Sequence, residues 1–184
     1  MYEKGKMVAI QGIIRNITKN IELQQELEYK STHDSLTGLY NRQYFDKLMD
    51  TYNEKLNLPI SLIICDLDNL KQMNDQFGHK RGDDLLCQAA QLLGNFTSEH
   101  TTLFRIGGDE FVFLVAMPDE KEVEHLVQNI EREIEKHNMN NPHLPIYVSI
   151  GYAYTNSSRG KMEQLYIKAD HHMYQQKSIR KSLV

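Results

Sequence analysis

The stretch Thr102-Leu-Phe-Arg-Ile-Gly-Gly-Asp-Glu-Phe-Val-Phe-Leu-Val115 sets two apolar, strand-like runs on either side of Gly107, Gly108, Asp109 and Glu110. Glycine tolerates positive φ at little cost, and short acids suit turns, so the stretch reads as a β-hairpin with buried arms. Working outward, Asp119 to His137 carries Val123, Leu126, Val127, Ile130 and Ile134 at helical spacing, and Gly82 to Phe96 does the same through Leu85, Leu86, Ala89, Leu92, Leu93 and Phe96. Ile60-Ser-Leu-Ile-Ile-Cys-Asp-Leu-Asp68 is a short apolar run that predicts a buried strand, and Ile146 to Tyr154 predicts another. Helices are expected over Asn41–Lys55 and Lys161–Lys177. Helix–strand–helix–hairpin–helix–strand–helix implies an α/β (α+β) sandwich, a mainly antiparallel central sheet flanked by helices with the glycine turn in its hairpin.

The amino-terminal part differs. Lys6 to Thr18 is rich in Val and Ile and reads as a strand, and Lys19 to Lys30 as a short connecting helix carrying Ile21, Leu23 and Leu27. The 184 residues therefore fit one domain plus an appendage. A net charge of -4 argues against nucleic acid bound through counterion release, while leaving room for a small polyphosphate. No apolar run reaches the roughly 18–20 residues that span a bilayer, and the first residues lack the apolar core of a secretory signal. Two cysteines, Cys65 and Cys87, fit small buried thiols in a reduced, cytoplasmic setting.

Asp66 and Asp68 are two apart at the end of a predicted strand and would share one face. Were the hairpin to lie beside that strand, Asp109 and Glu110 would join them, and the gathered like charges would need a cation. An all-oxygen ligand set favours Mg²⁺ or Mn²⁺. Taken singly, each feature has a plainer reading: Gly-Gly-Asp-Glu as turn chemistry and Asp66 and Asp68 as acids ending a strand. An EF-hand fits poorly, because Lys71 stands where that loop needs glycine. Walker and dinucleotide glycine motifs and zinc-spaced Cys/His clusters are missing from the sequence.

Five motifs in order change the weighing: His33-Asp-Ser-Leu-Thr-Gly-Leu-Tyr-Asn-Arg42, the run from Asp66 to Leu86, Arg105 to Phe111, Val148-Ser-Ile-Gly151, and Ala169-Asp170 with Met173-Tyr174 and Lys177. From about residue 29 onward the chain resembles the GGDEF family, the diguanylate cyclases. The resemblance implies condensation of two GTP into cyclic di-GMP with release of two pyrophosphates, each subunit of a homodimer presenting one GTP and each 3′-hydroxyl attacking the other's α-phosphate. It implies metal ligation by Asp66, Asp109 and the Leu67 carbonyl, with Glu110 joining the metals or helping deprotonate the 3′-hydroxyl. Two Mg²⁺ or Mn²⁺ per site would lower the hydroxyl pKa and neutralise the α-phosphate.

By the same resemblance Asp109, Glu110 and Lys71 form the catalytic set, Lys71 and Lys177 hold the terminal phosphates, and Gly107 and Gly108 let nucleotide pack against bare backbone. Asn74 and Asp83 match guanine readers, whose amide and carboxylate suit the N1–H and N2 amine. The plainer reading of Asp83 is a helix-start residue. Leu70 replaces the family's usual Phe near the phosphates, where the backbone makes the approach. Lys181 replaces its usual Arg, keeping charge but losing the bidentate fork. Ser98 and Thr101 stand where many members carry the Arg-x-x-Asp product-binding site, so no feedback through that site is expected. Asp34 and Arg42 look like a structural ion pair closing the turn before a helix, and His79 like a packing residue. His171 and His172 are not spaced as a metal pair on one helix face. Residues 1–28 resemble the tail of a PAS-like sensor and its linker helix, preceding a GGDEF domain over 29–184. The rival is a catalytically silent GTP-binding or partner-docking module of the same family.

Overall fold

The computed structural model describes residues 17–179 in full, the helical backbone of 180–182, and the backbone of residues 2–3 and 6–7. The chain divides into two units, Met1–Lys30 and Ser31–Val184. In the first, strands β1 (Tyr2–Glu3) and β2 (Lys6–Met7) pair antiparallel. Residues 8–16 of the strand expected over 6–18, and with them the sensor-tail reading, lie outside the described residues. Thr18 already opens helix α1 (Thr18–Thr32), which buries none of its residues and leaves Ile21, Leu23 and Leu27 exposed.

The second unit runs α2 (Arg42–Glu54), β3 (Ile60–Leu67), α3 (Leu70–Phe77), α4 (His79–Gly94), β4 (Thr101–Arg105), β5 (Glu110–Ala116), α5 (Glu120–Asn140), β6 (Val148–Thr155) and α6 (Met162–Ser182). One four-stranded sheet has the order β4-β5-β3-β6, every pair antiparallel. The expected sandwich and hairpin are therefore present. Because strand side chains alternate, β3 feeds two cores. Ile60, Leu62 and Ile64 pack with Phe45 of α2 and with Leu165, Ala169 and Met173 of α6. Ile63, Cys65 and Leu67 pack with Leu85, Ala89 and Leu93 of α4 and with Val123, Val127 and Ile130 of α5. That two-sided covering is why Ile60–Leu67 is buried along its whole length rather than at alternate residues.

Local chemistry sets the helix ends. The Asn41 side chain accepts from the Tyr44 N–H at the start of α2, and Asp119 and Glu122 form a reciprocal capping box at the start of α5. The sequence reading missed α3. Its eight residues, LKQMNDQF, set Leu70, Met73 and Phe77 at helical spacing, but only two turns repeat the pattern, and it starts from Asn69 in the left-handed region (φ 63°) with no side-chain cap. It also began α4 three residues late, at Gly82 rather than His79. Among the described residues, no helix is long and apolar enough to cross a membrane.

The ion pair expected between Asp34 and Arg42 does not form. Asp34 Oδ1 instead receives Arg105 Nη1 at 2.8 Å, and Arg42 Nε pairs with Asp46 at 2.9 Å, one helical turn along α2. Arg42 is the first helical residue, so its side chain is drawn to its i+4 neighbour. His79 is exposed at the first position of α4 rather than packed.

Helix α6 lies directly on β6 at Gly151. An added Cβ there would stand 2.0 Å from the Met173 nitrogen and 2.5 Å from the Ala169 carbonyl oxygen, both main-chain atoms that cannot swing aside. Gly151→Ala is expected to lower the unfolding free energy by about 1–3 kcal/mol, measured by urea denaturation. An unchanged midpoint would show that α6 can back away without cost.

Candidate active site

The site forms where β3 and β5 end together. Asp66 is paired in register with Glu110, so the two acids project to the same face, the one covered by α2 and α6. One residue further, the Leu67 N–H donates to the Asp109 carbonyl at 2.8 Å, extending the ladder into the turn. On the other side the Asp68 N–H donates to the Tyr147 carbonyl at 2.8 Å, and the Ser149 hydroxyl donates to the Asp68 carboxylate at 2.9 Å. Backbone pairing on both flanks thus fixes Asp66, Leu67 and Asp68, and carries Asp109 and Glu110 to them.

The electrostatics follow. Burial pushes the Asp66 carboxyl above the usual range; Lys177 pulls it down, while Asp109 and Asp68 push it further up. Burial likewise raises Glu110, helped by Asp109, Asp66 and Asp170 and opposed by Arg42. Lys177 of α6 reaches in from 111 residues away, its ammonium 2.5 Å from Asp66 Oδ1. Burial disfavours that charge, but the hydrogen bond and the charges of Asp66, Asp68 and Asp109 hold the lysine above its ordinary range. A cluster that raises its own carboxyl pKa values and draws in an ammonium is one that a hard cation suits.

Asp66, Asp109, Glu110 and the Leu67 carbonyl are the donors the sequence singled out, and the β3–β5 end brings them together. Among the described residues, His, Cys, Asp and Glu side chains nowhere gather in threes able to hold an ion. An ion on Asp66 and Asp109 would draw its remaining oxygens from the main chain and from a bound phosphate.

The two glycines play different parts. A Cβ on Gly107 would stand 2.6 Å from Glu110 Oε2, so the absence of a side chain here leaves room for the Glu110 carboxylate. A Cβ added to Gly108 would meet nothing within 4 Å, so that side of the tip is open.

The other expected residues sit on α3 and α4. Leu70 is half-buried against the α4 side of the sheet and Lys71 is exposed in the first turn of α3. Asn74 crosses to α4, where its side-chain oxygen is buried without a hydrogen-bond partner against Gly82; a Cβ on Gly82 would fall 1.9 Å from it. Asp83, the next residue, is exposed in the second turn of a helix that begins at His79, so the helix-start reading of this acid fails. The side chain of Lys181 lies outside the described residues.

Arg105 was missed. Its guanidinium donates to Asp34 Oδ1 and, through Nη2, to the Gly108 carbonyl, each at 2.8 Å, and Asp34 also receives the Thr37 N–H and hydroxyl. Arg105 therefore ties the 34–39 turn to the glycine turn. The signal was an Arg two residues before the glycines, but its partner lies 71 residues away.

Residues 31–182 match the family model described as diguanylate cyclase, GGDEF domain. The chain belongs to the GGDEF family. It is 30 % identical over 179 residues to a diguanylate cyclase of Vibrio cholerae serotype O1, covering 94 % of this chain and 55 % of that protein. It is 31 % identical over 171 residues to the diguanylate cyclase DgcM of Escherichia coli K12, covering 90 % and 41 %. The chain thus spans about half the length of these curated relatives. The coiled coil and GGDEF domain of DgcB from Caulobacter crescentus, solved in complex with c-di-GMP, matches with a TM-score of 0.77 at 24 % identity over 88 % of each chain, which establishes the shared fold.

Burial works against the Asp34 charge, but the hydrogen bonds from Thr37 and Arg105 outweigh it and hold the carboxyl below the usual range. A depressed carboxyl adds stability above its unfolded pKa of about 3.9 and loses it as pH falls through the folded value. Asp34→Asn is expected to cost about 1–2 kcal/mol at pH 7, with the gap to wild type closing as pH falls below the unfolded value of about 3.9. A gap that persists in acid would show that the charge is not what matters.

Proposed function

We propose that this chain is the output domain of a diguanylate cyclase, active as a homodimer. The observation that carries the reading is the convergence of Asp66, Asp109 and Glu110 at one strand end of a GGDEF-family domain, with Lys177 reaching their edge. In the reaction, the 3′-oxygen of one GTP bonds to the α-phosphorus of the other, the α–β phosphoanhydride bond breaks and pyrophosphate leaves; the reciprocal attack closes the ring.

Asp66, Asp109 and the Leu67 carbonyl would hold Mg²⁺ or Mn²⁺, two per site, which when bound supply Lewis acidity at the α-phosphate and a lowered hydroxyl pKa. Glu110, its carboxyl raised and its place secured by Gly107, would share in that ligation or take the 3′-hydroxyl proton. Lys71, Lys177 and Lys181 would neutralise the terminal phosphates. Asn74 and Asp83 would read the guanine edge, the Asn74 side-chain oxygen having no hydrogen-bond partner within the chain. One chain carries one acid cluster and one reader pair, so two chains are needed to oppose two GTP molecules. A preceding sensor-like segment over residues 1–28, a cyclase domain from residue 29 and a cytoplasmic setting complete the proposal. Lys181 in place of Arg favours the second reading, a domain that binds GTP without turnover.

Pyrophosphate release from GTP and Mg²⁺, followed against chain concentration, tests it. The specific rate should rise with concentration, fall about 100-fold or more in Asp109→Ala, and be negligible with ATP. Ser98 and Thr101 bond to each other's backbone, and the Ser98 hydroxyl accepts from His100, so this turn is satisfied internally. Added cyclic di-GMP should accordingly leave the rate unchanged. GTP binding without pyrophosphate release at any concentration would favour the silent module.

A further inference from the structure

The ammonium of Lys177 stands on the Asp66 carboxylate, the group that would ligate a divalent ion at this site. The contact is short, 2.5 Å to Asp66 Oδ1, and well shielded, with side-chain exposures of 24 % for Lys177 and 10 % for Asp66. It is also built from outside the acid cluster. Gly151 lets α6 seat its Ala169–Met173 backbone directly on β6, one turn before Lys177. His172 Nδ1 lies 3.2 Å from both the Tyr152 nitrogen and the Tyr152 carbonyl oxygen, fastening the same helix to the edge of the same strand. The register of α6 on β6 is thus fixed from two points, and that register delivers Lys177 to Asp66.

An ammonium and a divalent ion on one carboxylate repel each other, and in a half-buried site that repulsion is screened less than in water, so the two compete. We propose that Lys177 is a resident cation at Asp66 that metal must displace, so that metal entry and the transfer of Lys177 to the terminal phosphates of GTP are a single exchange. The inference rests on the reading of Asp66 as a metal ligand and Lys177 as a phosphate ligand, and adds that one side chain alternates between the two stations. Its flexible four-carbon stem and rotatable ammonium suit such a move, where a guanidinium fork would be held by geometry.

A sign reversal follows. With no nucleotide, Lys177 competes with metal; with nucleotide, it assists by neutralising phosphate. Loss of free Mn²⁺ signal in electron paramagnetic resonance measures the first directly, using the full chain as wild type, Lys177→Met, Lys177→Gln and Lys177→Arg. Both neutral variants should bind Mn²⁺ about fivefold to tenfold tighter than wild type, the scale of one partly buried ion pair, while Lys177→Arg stays close to wild type. With Mn²⁺ saturating, a GTP analogue carrying a methylene in place of the α–β bridging oxygen should bind both neutral variants about tenfold more weakly. Circular dichroism confirms the helix content of each variant, and two neutral side chains of different polarity guard against one of them unseating α6. Equal or weaker Mn²⁺ binding by the neutral variants would overturn the exchange. Failure of wild type and variants alike to bind Mn²⁺ above an Asp66→Ala control would overturn the metal assignment itself, and the exchange with it.

Discussion

A single backbone hydrogen bond, from the Leu67 N–H to the Asp109 carbonyl, joins the end of β3 to the glycine turn, and the site depends on it. The β3–β5 register pairs Asp66 with Glu110, and the next bond brings Asp109 alongside. Ladder geometry therefore makes neighbours of Asp66 and the distant Asp109–Glu110 pair, and β3 has β5 on one side and β6 on the other, so Asp66 is held from both.

Such an arrangement costs stability. Asp66 is buried among carboxylates that raise its pKa, and a half-buried charge must be matched by a partner. Two long-range basic groups offset the penalty in different ways. Lys177 answers the acids directly, at the end of a helix seated on Gly151. Arg105 answers the turn, holding the Gly108 carbonyl while paired to Asp34. The glycines then divide the remaining work, Gly107 giving space to Glu110 and Gly108 leaving the tip open.

Much of the fold was legible because its signals are local. The uninterrupted run Ile60–Leu67, the helical spacing in α4 and α5 and the apolar arms around Gly107 each announce one element. Helix α3 was not, since its stripe of Leu70, Met73 and Phe77 spans only eight residues and the left-handed Asn69 before it provides no side-chain cap. At the site, the identities of Asp66, Asp109 and Glu110 could be read, but their partners could not. Asp34 was paired with the nearest Arg in its motif, whereas the fold supplies Arg105 from another strand. The closeness of Gly107 to the Glu110 carboxylate was likewise hidden, because steric room for a side chain three residues on is visible only in three dimensions.

The central claim is that this strand end joins two guanine nucleotides. Its most direct test is identification of the product by chromatography with mass detection after the chain, at high concentration, is incubated with GTP and Mg²⁺. Cyclic di-GMP as the accumulating product is the expected result. GTP recovered intact, or converted only to a linear or mononucleotide product, would contradict it.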